Sequence, residues 1–363
     1  MPSDEAAPEV PASAESPDAA EAPTAAVAAG PPTRRTTVTI YDVARLAGVA
    51  PSTVSRAFAR PGRVNADTAA RIRTAAAELG YRVNPLARAL STSTTHMLAL
   101  MISDVTNPFY SDLIRGAQIA ASEADYTVVL ADARESHVLE REALERVLPV
   151  VDGIVIGSSR MSDSTLQMIA KQKPMIVLNR HLVGIPSVVT DNPRGMRRAV
   201  EHLGELGHES LTYVAGPEAS WADGMRWRAL REASHELQLH IRRVGPIVPT
   251  VDGGRTAALS MLDHLPTAVV AYNDLVAIGV MLAFASAGIR VPEDVSVVGI
   301  DDIMFAELVS PGLTTVRSPG RTMGTTAVKN VLAMIRGALP RSDQAFVLPT
   351  RLVVRGSTGR PRR

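Results

Sequence analysis

Hydroxyl and guanidinium groups are concentrated in one short stretch near the start of the chain. Pro51 is followed by Ser52, Thr53, Ser55 and Arg56. Hydroxyls can exchange hydrogen bonds with phosphates and base edges, and a guanidinium can bond two acceptors of one guanine. These groups are therefore suited to binding an anionic polymer that has many hydrogen-bond acceptors. Such binding makes and breaks no covalent bond.

Two short helices are predicted to position these groups. Thr39 can cap the first helix, and Gly48 can take the left-handed conformation that ends it. Pro51 suits the first turn of the second helix. Val54 and Phe58 are four residues apart, so both would face the first helix and leave the polar groups outside. The second helix would fit the DNA major groove, although an ordinary αα-hairpin has the same spacing.

The distribution of charge favours the DNA interpretation. The whole chain has a formal net charge of +1, but residues 1–33 carry six acidic residues and neither Lys nor Arg. Residues 34–95 carry ten Arg and three acidic residues, a net charge of +7. Positive charge concentrated around the two-helix pattern favours a polyanionic partner, with binding that weakens steeply as salt is added.

The first 36 residues are mainly Ala, Pro, Ser and Glu, with almost no large apolar side chain. Such a segment buries too little surface to offset the entropy of ordering, so residues 1–36 are predicted to be a disordered tail. The plain interpretation is a dispensable leader. The other is that its acidic residues compete weakly with DNA for the basic domain.

Residues 37–83 are predicted to form a three-helix DNA-binding domain, whose third helix is capped by Asn65. A hinge helix and linker follow at residues 84–95, with Asn84 as the cap and Pro85 in the first turn. A helix this short is unstable alone in water, so DNA or a second copy of itself would have to order it. Leu90 at its end could enter the minor groove between base steps, or could pack on the neighbouring domain.

From residue 96 to residue 363 short apolar strands alternate with helical patterns, which predicts an α/β core of parallel sheets flanked by helices. The predicted strands are Met97–Ile102, Thr127–Ala131, Gly153–Ile156, Met175–Leu178, Leu211–Ala215, Ala268–Ala271 and Val295–Ile300. The predicted helices are Pro108–Ala124, Leu139–Leu148, Arg194–Leu206, Met225–Leu237, Gly254–Leu265 and Asp274–Ala287. So many strands indicate two lobes, with the first crossing between them near Val188–Asn192. A ligand site is expected between the lobes, beyond the carboxyl ends of the strands.

Several functional classes receive no support from the sequence. The chain has no Cys, no apolar run long enough to span a membrane, and no secretory signal pattern at its N-terminus. It also lacks a phosphate-binding glycine loop, a nucleophile elbow and a His spacing typical of metal sites. We therefore expect a cytoplasmic protein that is not an enzyme, with no cofactor, no bound metal and no membrane partner.

Polar and aromatic side chains follow the predicted strands where a ligand cleft would lie. Amides, carboxylates and a bidentate Arg beside aromatic faces suit a small polar or polyhydroxylated ligand. Each of these residues could alternatively be a helix cap or part of an ion pair between lobes, and only their recurrence favours a cleft. The set comprises Asn107, Phe109, Tyr110, Ser158, Ser159, Asn179, Arg180, Trp221, Arg226, Asn273, Asp274, Asp301 and Asp302.

These stretches together resemble the lactose-repressor/galactose-repressor family of bacterial transcription regulators. The resemblance covers residues 38 to about 355 and includes the headpiece signature and the hinge, TIYDVARLAGVAPSTVSR (39–56) and NPLARAL (84–90). In the core it includes VDGI (151–154), TDN (190–192), HLGELGH (202–208), AYNDLVAIG (271–279), VPEDVSVVGIDD (291–302) and LTTV (313–316). The order and spacing of these motifs agree with the family throughout.

The resemblance implies a homodimeric repressor that binds a palindromic operator in double-stranded DNA. A small effector, expected to be a sugar, would bind between the lobes of a core like that of periplasmic binding proteins. Matching DNA-binding positions are Tyr41, Pro51, Ser52, Thr53, Ser55, Arg56, Asn65, Asn84 and Leu90. Matching ligand-binding positions are Phe109, Tyr110, Arg180, Arg226, Asn273 and Asp301, with Trp221 nearby.

Three positions depart from the family pattern. Pro51 stands where many relatives carry a polar residue, Ser91 where some have a basic residue, and Asn179 where Asp is frequent.

The alternative function is a solute-binding protein of the same core fold without a DNA role. The basic segment 34–95 and the lack of an export signal count against that alternative.

Overall fold

The computed structural model describes residues 38–59, 62–81, 94–339 and 344–362. It divides into two compact units, Met1–Arg82 and Val83–Arg363. The predicted tail at residues 1–36 and the predicted hinge helix with Asn84 and Leu90 lie outside the described residues.

The first unit contains the two predicted helices and the third helix that follows them. These are α1 (Ile40–Ala47), α2 (Pro51–Ala59) and α3 (Ala66–Glu78). The N–H and the hydroxyl of Thr39 donate to the carboxylate of Asp42 at 3.0 and 2.7 Å, which closes the first turn of α1. Gly48 adopts a φ of 62° just after α1, so the predicted left-handed end of this helix is confirmed.

A small aliphatic core holds α1, α2 and α3 together. Val43, Val54 and Ile72 are fully buried, one from each helix. Phe58 packs at the edge of this core with its ring 6.1 Å from that of Tyr81. The prediction that Val54 and Phe58 face inward is confirmed, and the outer face of α2 is left to its polar residues.

The second unit is a parallel α/β core with more strands and helices than the sequence predicted. Its strands are β1 (Met97–Ile102), β2 (Thr127–Asp132), β3 (Gly153–Gly157), β4 (Met175–Leu178), β5 (Ser187–Thr190), β6 (Ser210–Val214), β7 (His240–Val244), β8 (Ala268–Ala271), β9 (Ser296–Asp301), β10 (Thr314–Arg317), β11 (Phe346–Leu348) and β12 (Arg351–Val353). Its helices are α4 (Phe109–Ser122), α5 (His137–Val147), α6 (Asp163–Ala170), α7 (Asn192–Glu205), α8 (Trp221–Glu236), α9 (Val251–Leu259), α10 (Asp274–Ser286), α11 (Phe305–Leu308) and α12 (Gly320–Ile335).

Two six-stranded sheets form two lobes, as predicted. The strand order is β11-β5-β4-β3-β1-β2 in the first lobe and β12-β10-β9-β8-β6-β7 in the second. All strand pairs of the described residues are parallel except β10 with β12. The described chain passes between lobes after β5, after β10 and after β11. The crossing predicted near Val188–Asn192 is confirmed, because β5 ends at Thr190 and α7 packs in the second lobe.

The sequence patterns did not predict five of the strands and three of the helices. These are β5, β7, β10, β11 and β12, and α6, α11 and α12. The missed strands are three to five residues long. Residues of β7 and β11 are partly exposed, so they lack the apolar run of a buried strand. Helix α12 is rich in Gly and Thr, which are weak helix formers, and it is stabilised by packing against α4.

Each lobe contains a helix pair that touches backbone to backbone at glycine. In the first lobe, a Cβ on Gly324 of α12 would lie 2.1 Å from the carbonyl oxygen of Leu113 in α4. In the second lobe, a Cβ on Gly279 of α10 would lie 2.0 Å from the carbonyl oxygen of Val251 in α9. Because backbone atoms cannot move aside as a flexible side chain can, any residue larger than Gly must separate the helices.

We therefore expect Gly324→Ala and Gly279→Ala each to lower the free energy of unfolding by about 3 kcal/mol, the cost of overpacking a rigid contact. Gly224→Ala is the matched control, because Gly224 is exposed inside α8 and a Cβ there would have no atom within 4 Å. This control should gain about 0.5–1 kcal/mol from the better helix propensity of Ala. Urea unfolding followed by circular dichroism measures all three. Equal midpoints for Gly324→Ala and Gly224→Ala would contradict the packing argument.

Candidate functional site

Helix α2 presents the predicted polar set at the surface of the first unit. Ser52 and Arg56 are exposed, Thr53 and Ser55 are half-buried, and Pro51 begins the helix. The Nε of Arg56 donates to the carbonyl oxygen of Ser52 at 3.2 Å, so the guanidinium lies along the outer face of the helix. A polar helix supported from behind by Val54 has the shape and chemistry needed to enter a DNA major groove.

Two further predicted DNA-binding residues lie on neighbouring elements. Tyr41 on α1 is 66% exposed, and Asn65 is exposed at the start of α3. The side chain of Asn65 accepts from the N–H of Asp67 at 2.9 Å, which confirms it as the cap of α3. Asn84 and Leu90 lie outside the described residues, so their roles stay predictions.

The second candidate site lies where β8 and β9 end in the second lobe, and Arg226 is at its centre. This guanidinium is buried, and its Nε donates to Oδ1 of Asn192 at 3.2 Å. Its Nη1 donates to the carbonyl oxygen of Tyr272 at 2.7 Å, and its Cζ lies 4.9 Å from the centre of the Tyr272 ring. The carboxylate of Asp301 is 3.8 Å from Nη2. Arg226 therefore joins the first residue of α7 to the ends of β8 and β9.

Asp301 has a raised pKa and an unusual backbone conformation. Burial raises the pKa of its carboxyl to about 7, although the positive charge of Arg226 and a hydrogen bond from Ser318 both oppose this rise. Its φ of 117° is rare for a residue with a side chain, and such strain is found preferentially at ligand sites. Asp301 can therefore both donate and accept hydrogen bonds near neutral pH.

Asp301 also lines a cavity of about 430 Å³ that both lobes share. Phe109 from the start of α4 faces this cavity, together with Arg317 at the end of β10, Ser318 in the crossing that follows, and Arg321 in the first turn of α12. The volume is within the range of small-molecule sites. The structure thus brings together three predicted ligand-binding residues: Phe109 and Asp301 directly, and Arg226 through its contact with Asp301.

Four other predicted ligand-binding residues, Tyr110, Arg180, Trp221 and Asn273, are not among the residues that line this cavity. Tyr110 is buried, burial raises its pKa to about 12, and its hydroxyl is 2.7 Å from that of Ser103. Arg180 donates to the carbonyl oxygen of Met161 at 2.6 Å and pairs with Asp163. Both side chains are held by their own lobe, so any ligand contact would use the hydrogen-bonding capacity that remains.

The other two are at helix starts. Asn273 caps α10, because its side chain accepts from the N–H of Val276 at 2.9 Å and donates to the carbonyl oxygen of Pro249 at 3.4 Å. Trp221 is the first residue of α8 and is half-buried. The helix-cap interpretation left open in the sequence therefore holds for Asn273, while ligand contacts of all four residues stay predictions.

The sequence reasoning missed Arg160, which follows β3 directly after Ser158 and Ser159. Its Nε and Nη2 both donate to Glu135 at 2.7 Å, and its Nη1 donates to the carbonyl oxygen of Ser158 at 3.1 Å. Burial alone would lower the pKa of this guanidinium, but Tyr272 of the other lobe and Glu135 raise it. The signal in the sequence was its place after a strand. Its partner Glu135 follows β2 at the same distance, but the sequence alone does not show that the two side chains meet.

The Oδ1 atom of Asn179 is a second feature that only the structure shows. Asn179 follows β4 with a φ of 54°, and its Nδ2 donates to the hydroxyl of Ser158 at 3.3 Å. Among the described residues, its buried Oδ1 has no protein partner. A buried acceptor without a partner is costly, so this atom is available to a ligand hydroxyl or a water molecule.

Membrane-spanning helices and metal clusters are both absent from the described residues. No helix in the described part of the chain is long and apolar enough to cross a membrane. Likewise, residues 38–59, 62–81, 94–339 and 344–362 contain no group of three His, Asp or Glu side chains that could hold a metal ion.

A DNA-binding headpiece and a two-lobed core with a polar cleft define a class of protein, the ligand-responsive transcriptional regulators. Comparison with known families agrees for both parts. Residues 39–84 match the lacI family of bacterial regulatory proteins, and residues 200–358 match a periplasmic binding protein-like domain. The chain belongs to the lacI family and is a DNA-binding transcriptional regulator, not an enzyme.

Individual relatives are similar over 73–89% of this chain. The HTH-type transcriptional regulator DegA of Bacillus subtilis is 33% identical over 88% of this chain and 98% of its own length. A lac repressor dimer solved with operator and the anti-inducer ONPF has a TM-score of 0.79 at 28% identity, covering 89% of this chain and 99% of that one. A lacI-family regulator from Enterococcus faecium with bound ribose has a TM-score of 0.66 at 29% identity, covering 73% and 100%.

The raised pKa of Asp301 makes stability depend on pH in a predictable direction. An unfolded Asp has a pKa of about 3.9, so the folded chain holds this proton more tightly and loses stability as the pH rises from about 4 to about 7. Asp301→Asn has no such proton. Between pH 5 and pH 8 the wild type should therefore lose about 2–3 kcal/mol relative to Asp301→Asn, by linkage. Thermal unfolding at both pH values measures this, with Asp263→Asn, an exposed substitution, as the control. Parallel profiles for wild type and Asp301→Asn would contradict the assignment.

Proposed function

We propose that this regulator is a repressor that binds a palindromic operator as a homodimer, in the cytoplasm, under the control of a sugar bound between the two lobes. The main observation in support of the proposal is that Ser52 and Arg56 are exposed on helix α2, whose other face packs against the core of the headpiece. A solute-binding protein has no use for such a helix. The relative solved as a dimer on its operator supports the dimeric arrangement.

On DNA, each headpiece would read one half of the operator. Pro51, Ser52 and Arg56 begin and line the outer face of α2, and are assigned to base edges. Arg56 suits a guanine, whose O6 and N7 accept two parallel hydrogen bonds from one guanidinium. The phosphate and near-base positions are assigned to Tyr41, Thr53, Ser55 and Asn65. The hinge positions are assigned to Asn84, at the backbone, and to Leu90, in the minor groove.

In the core, the groups around Asp301 fit the chemistry of a sugar. Each sugar hydroxyl donates one hydrogen bond and accepts others, and a carboxyl near its pKa can serve either role. Arg226 supplies donors, and Phe109 supplies an apolar surface for a ring face. Tyr110, Arg180, Trp221 and Asn273 would complete the site. The ribose-bound relative supports this ligand class.

Control of DNA binding would follow from the position of the cleft between lobes. Asp301 and Arg317 border the cavity from the second lobe, while Phe109 borders it from the first. A ligand that contacts both lobes stabilises one relative arrangement of them. It shifts the DNA-binding equilibrium only by the difference between its affinities for the two arrangements.

Arg56→Ala tests the DNA assignment. Operator sequences are first selected from a random duplex pool with the wild-type protein, and affinities are then measured for the selected and a random duplex. Losing a bidentate base contact costs about 1–3 kcal/mol of discrimination, so the ratio of specific to random affinity should fall roughly tenfold or more. Arg45→Ala on α1 is the control and should weaken both duplexes alike, as a phosphate contact would. An unchanged ratio in Arg56→Ala would remove the base-reading role.

Asp301→Asn tests the effector assignment. The selected operator is titrated with a panel of pentoses, hexoses and disaccharides to find one that alters wild-type binding. Asp301→Asn should weaken the response to that sugar at least tenfold, because an isosteric amide cannot accept as a carboxylate does, and leave operator affinity without sugar within about twofold. Asp263→Asn should respond as the wild type does. A wild-type response in Asp301→Asn would place the effector elsewhere.

A further inference from the structure

Most arginines of the headpiece form no ion pair with the described residues of that unit. Arg56, Arg63, Arg71 and Arg73 are all exposed. None of these four forms an ion pair within residues 38–59 and 62–81; the Nε atoms of Arg56 and Arg73 bond backbone carbonyls of their own helices instead. The ion pair found there joins Arg45 to Asp42 at 3.5 Å. We call these four arginines the cationic set.

The opposite charge is present in the same chain. Residues 4–21 hold all six acidic residues of the tail, and residues 1–33 hold no Lys or Arg. The acidic stretch is joined to Thr39, the N-cap of α1, through residues 22–38, a connection of 17 residues. No other part of the sequence combines a net charge of −6 with so short a tether to the DNA-binding helix.

The tether is long enough for the acidic stretch to reach the whole headpiece. A random-coil chain of 17 residues has a root-mean-square span of about 23 Å, from about 5–6 Å times the square root of its length. A folded unit of some 45 residues has a radius of gyration of only about 9 Å. A tether of this length gives an effective concentration in the millimolar range, at which even weak ionic contacts are substantially occupied.

We propose that the acidic stretch of residues 4–21 docks on the cationic set of its own headpiece and competes there with DNA. This inference rests on the DNA-binding role of the headpiece. Its carboxylates take the place of phosphates, with a far lower charge density than the duplex, which carries one charge per about 1.7 Å. DNA therefore displaces the stretch, and the affinity for every sequence is lowered by one common factor. The regulator spends less time on random DNA than its bare headpiece would.

The first experiment measures DNA affinity with a 30-base-pair random duplex as the probe. In the test variant the tail loses its charge through Asp4→Asn, Glu5→Gln, Glu9→Gln, Glu15→Gln, Asp18→Asn and Glu21→Gln. The control variant has the same change of net charge at exposed core residues, through Glu123→Gln, Glu142→Gln, Glu218→Gln, Glu232→Gln, Asp263→Asn and Glu307→Gln.

At about 50 mM salt we expect the tail variant to bind the duplex at least fivefold more tightly than the wild type, and the core control to stay within twofold. At about 300 mM salt the three proteins should converge, because screening over a few ångströms removes the ionic contacts. A tail variant that gains no more than the core control would overturn the proposal.

The second experiment detects docking without DNA, so it stands even if the proposed function fails. Because the chain has no Cys, an introduced pair reports unambiguously. Ala19→Cys in the tail is combined with Ala70→Cys, an exposed position beside Arg71 on α3. Under mild oxidation the disulfide should form at least fivefold faster with the acidic tail than with the neutralised tail of the test variant, and salt should abolish the difference.

Equal rates of disulfide formation would overturn docking, even if the neutral tail raised DNA affinity, since the tail would then only repel DNA. A disulfide that joins two chains, seen as a doubled mass on a non-reducing gel, would overturn the assignment to the same headpiece. A fast intrachain disulfide together with the gain in DNA affinity is the result the proposal requires.

Discussion

The burial of one positive charge, on Arg226, organises the second site. A buried guanidinium is strongly destabilising unless its N–H groups are paired, and Arg226 finds its partners on three separate elements. Asn192 begins α7 just after the chain enters the second lobe, Tyr272 follows β8, and Asp301 ends β9. The contact with Arg226 therefore helps to fix the position of Asp301, which faces the cavity.

A second buried acidic residue, Asp274, connects the turn after β9 to α10 and β10. Its two oxygens accept from the N–H of Ile303 at 2.8 Å and from the hydroxyl of Thr315 at 2.6 Å. Burial raises its pKa well above the ordinary value, with a further contribution from the neighbouring Asp301. The turn after β9 is thus attached to the start of α10. This attachment constrains the backbone that follows Asp301.

The headpiece and the core solve different physical problems. The headpiece is a small unit with an aliphatic core. Its exposed polar face requires only that helix α2 pack firmly against that core on its other side. The core must bring strand ends from two lobes to one place. The positions of those strands depend on the helices that pack beside them. The glycine contacts at Gly324 and Gly279 let α12 and α10 lie against their neighbours at backbone distance. The two units therefore differ in their chemistry. The headpiece offers positive charge to DNA, and the cleft offers hydrogen-bonding groups to a ligand.

The sequence by itself determined the local features. Helix caps at Asn65 and Gly48, the outward face of α2 and the long apolar strands all follow from short-range spacing, and each is confirmed. The tertiary structure decided what depends on distant residues meeting. It assigned Asn273 to a helix cap, paired Arg160 with Glu135, and made a helix of the Gly- and Thr-rich α12. The physical reason is that periodicity reports how a residue faces its own element, whereas partners, burial and pKa depend on elements that are far apart in the chain.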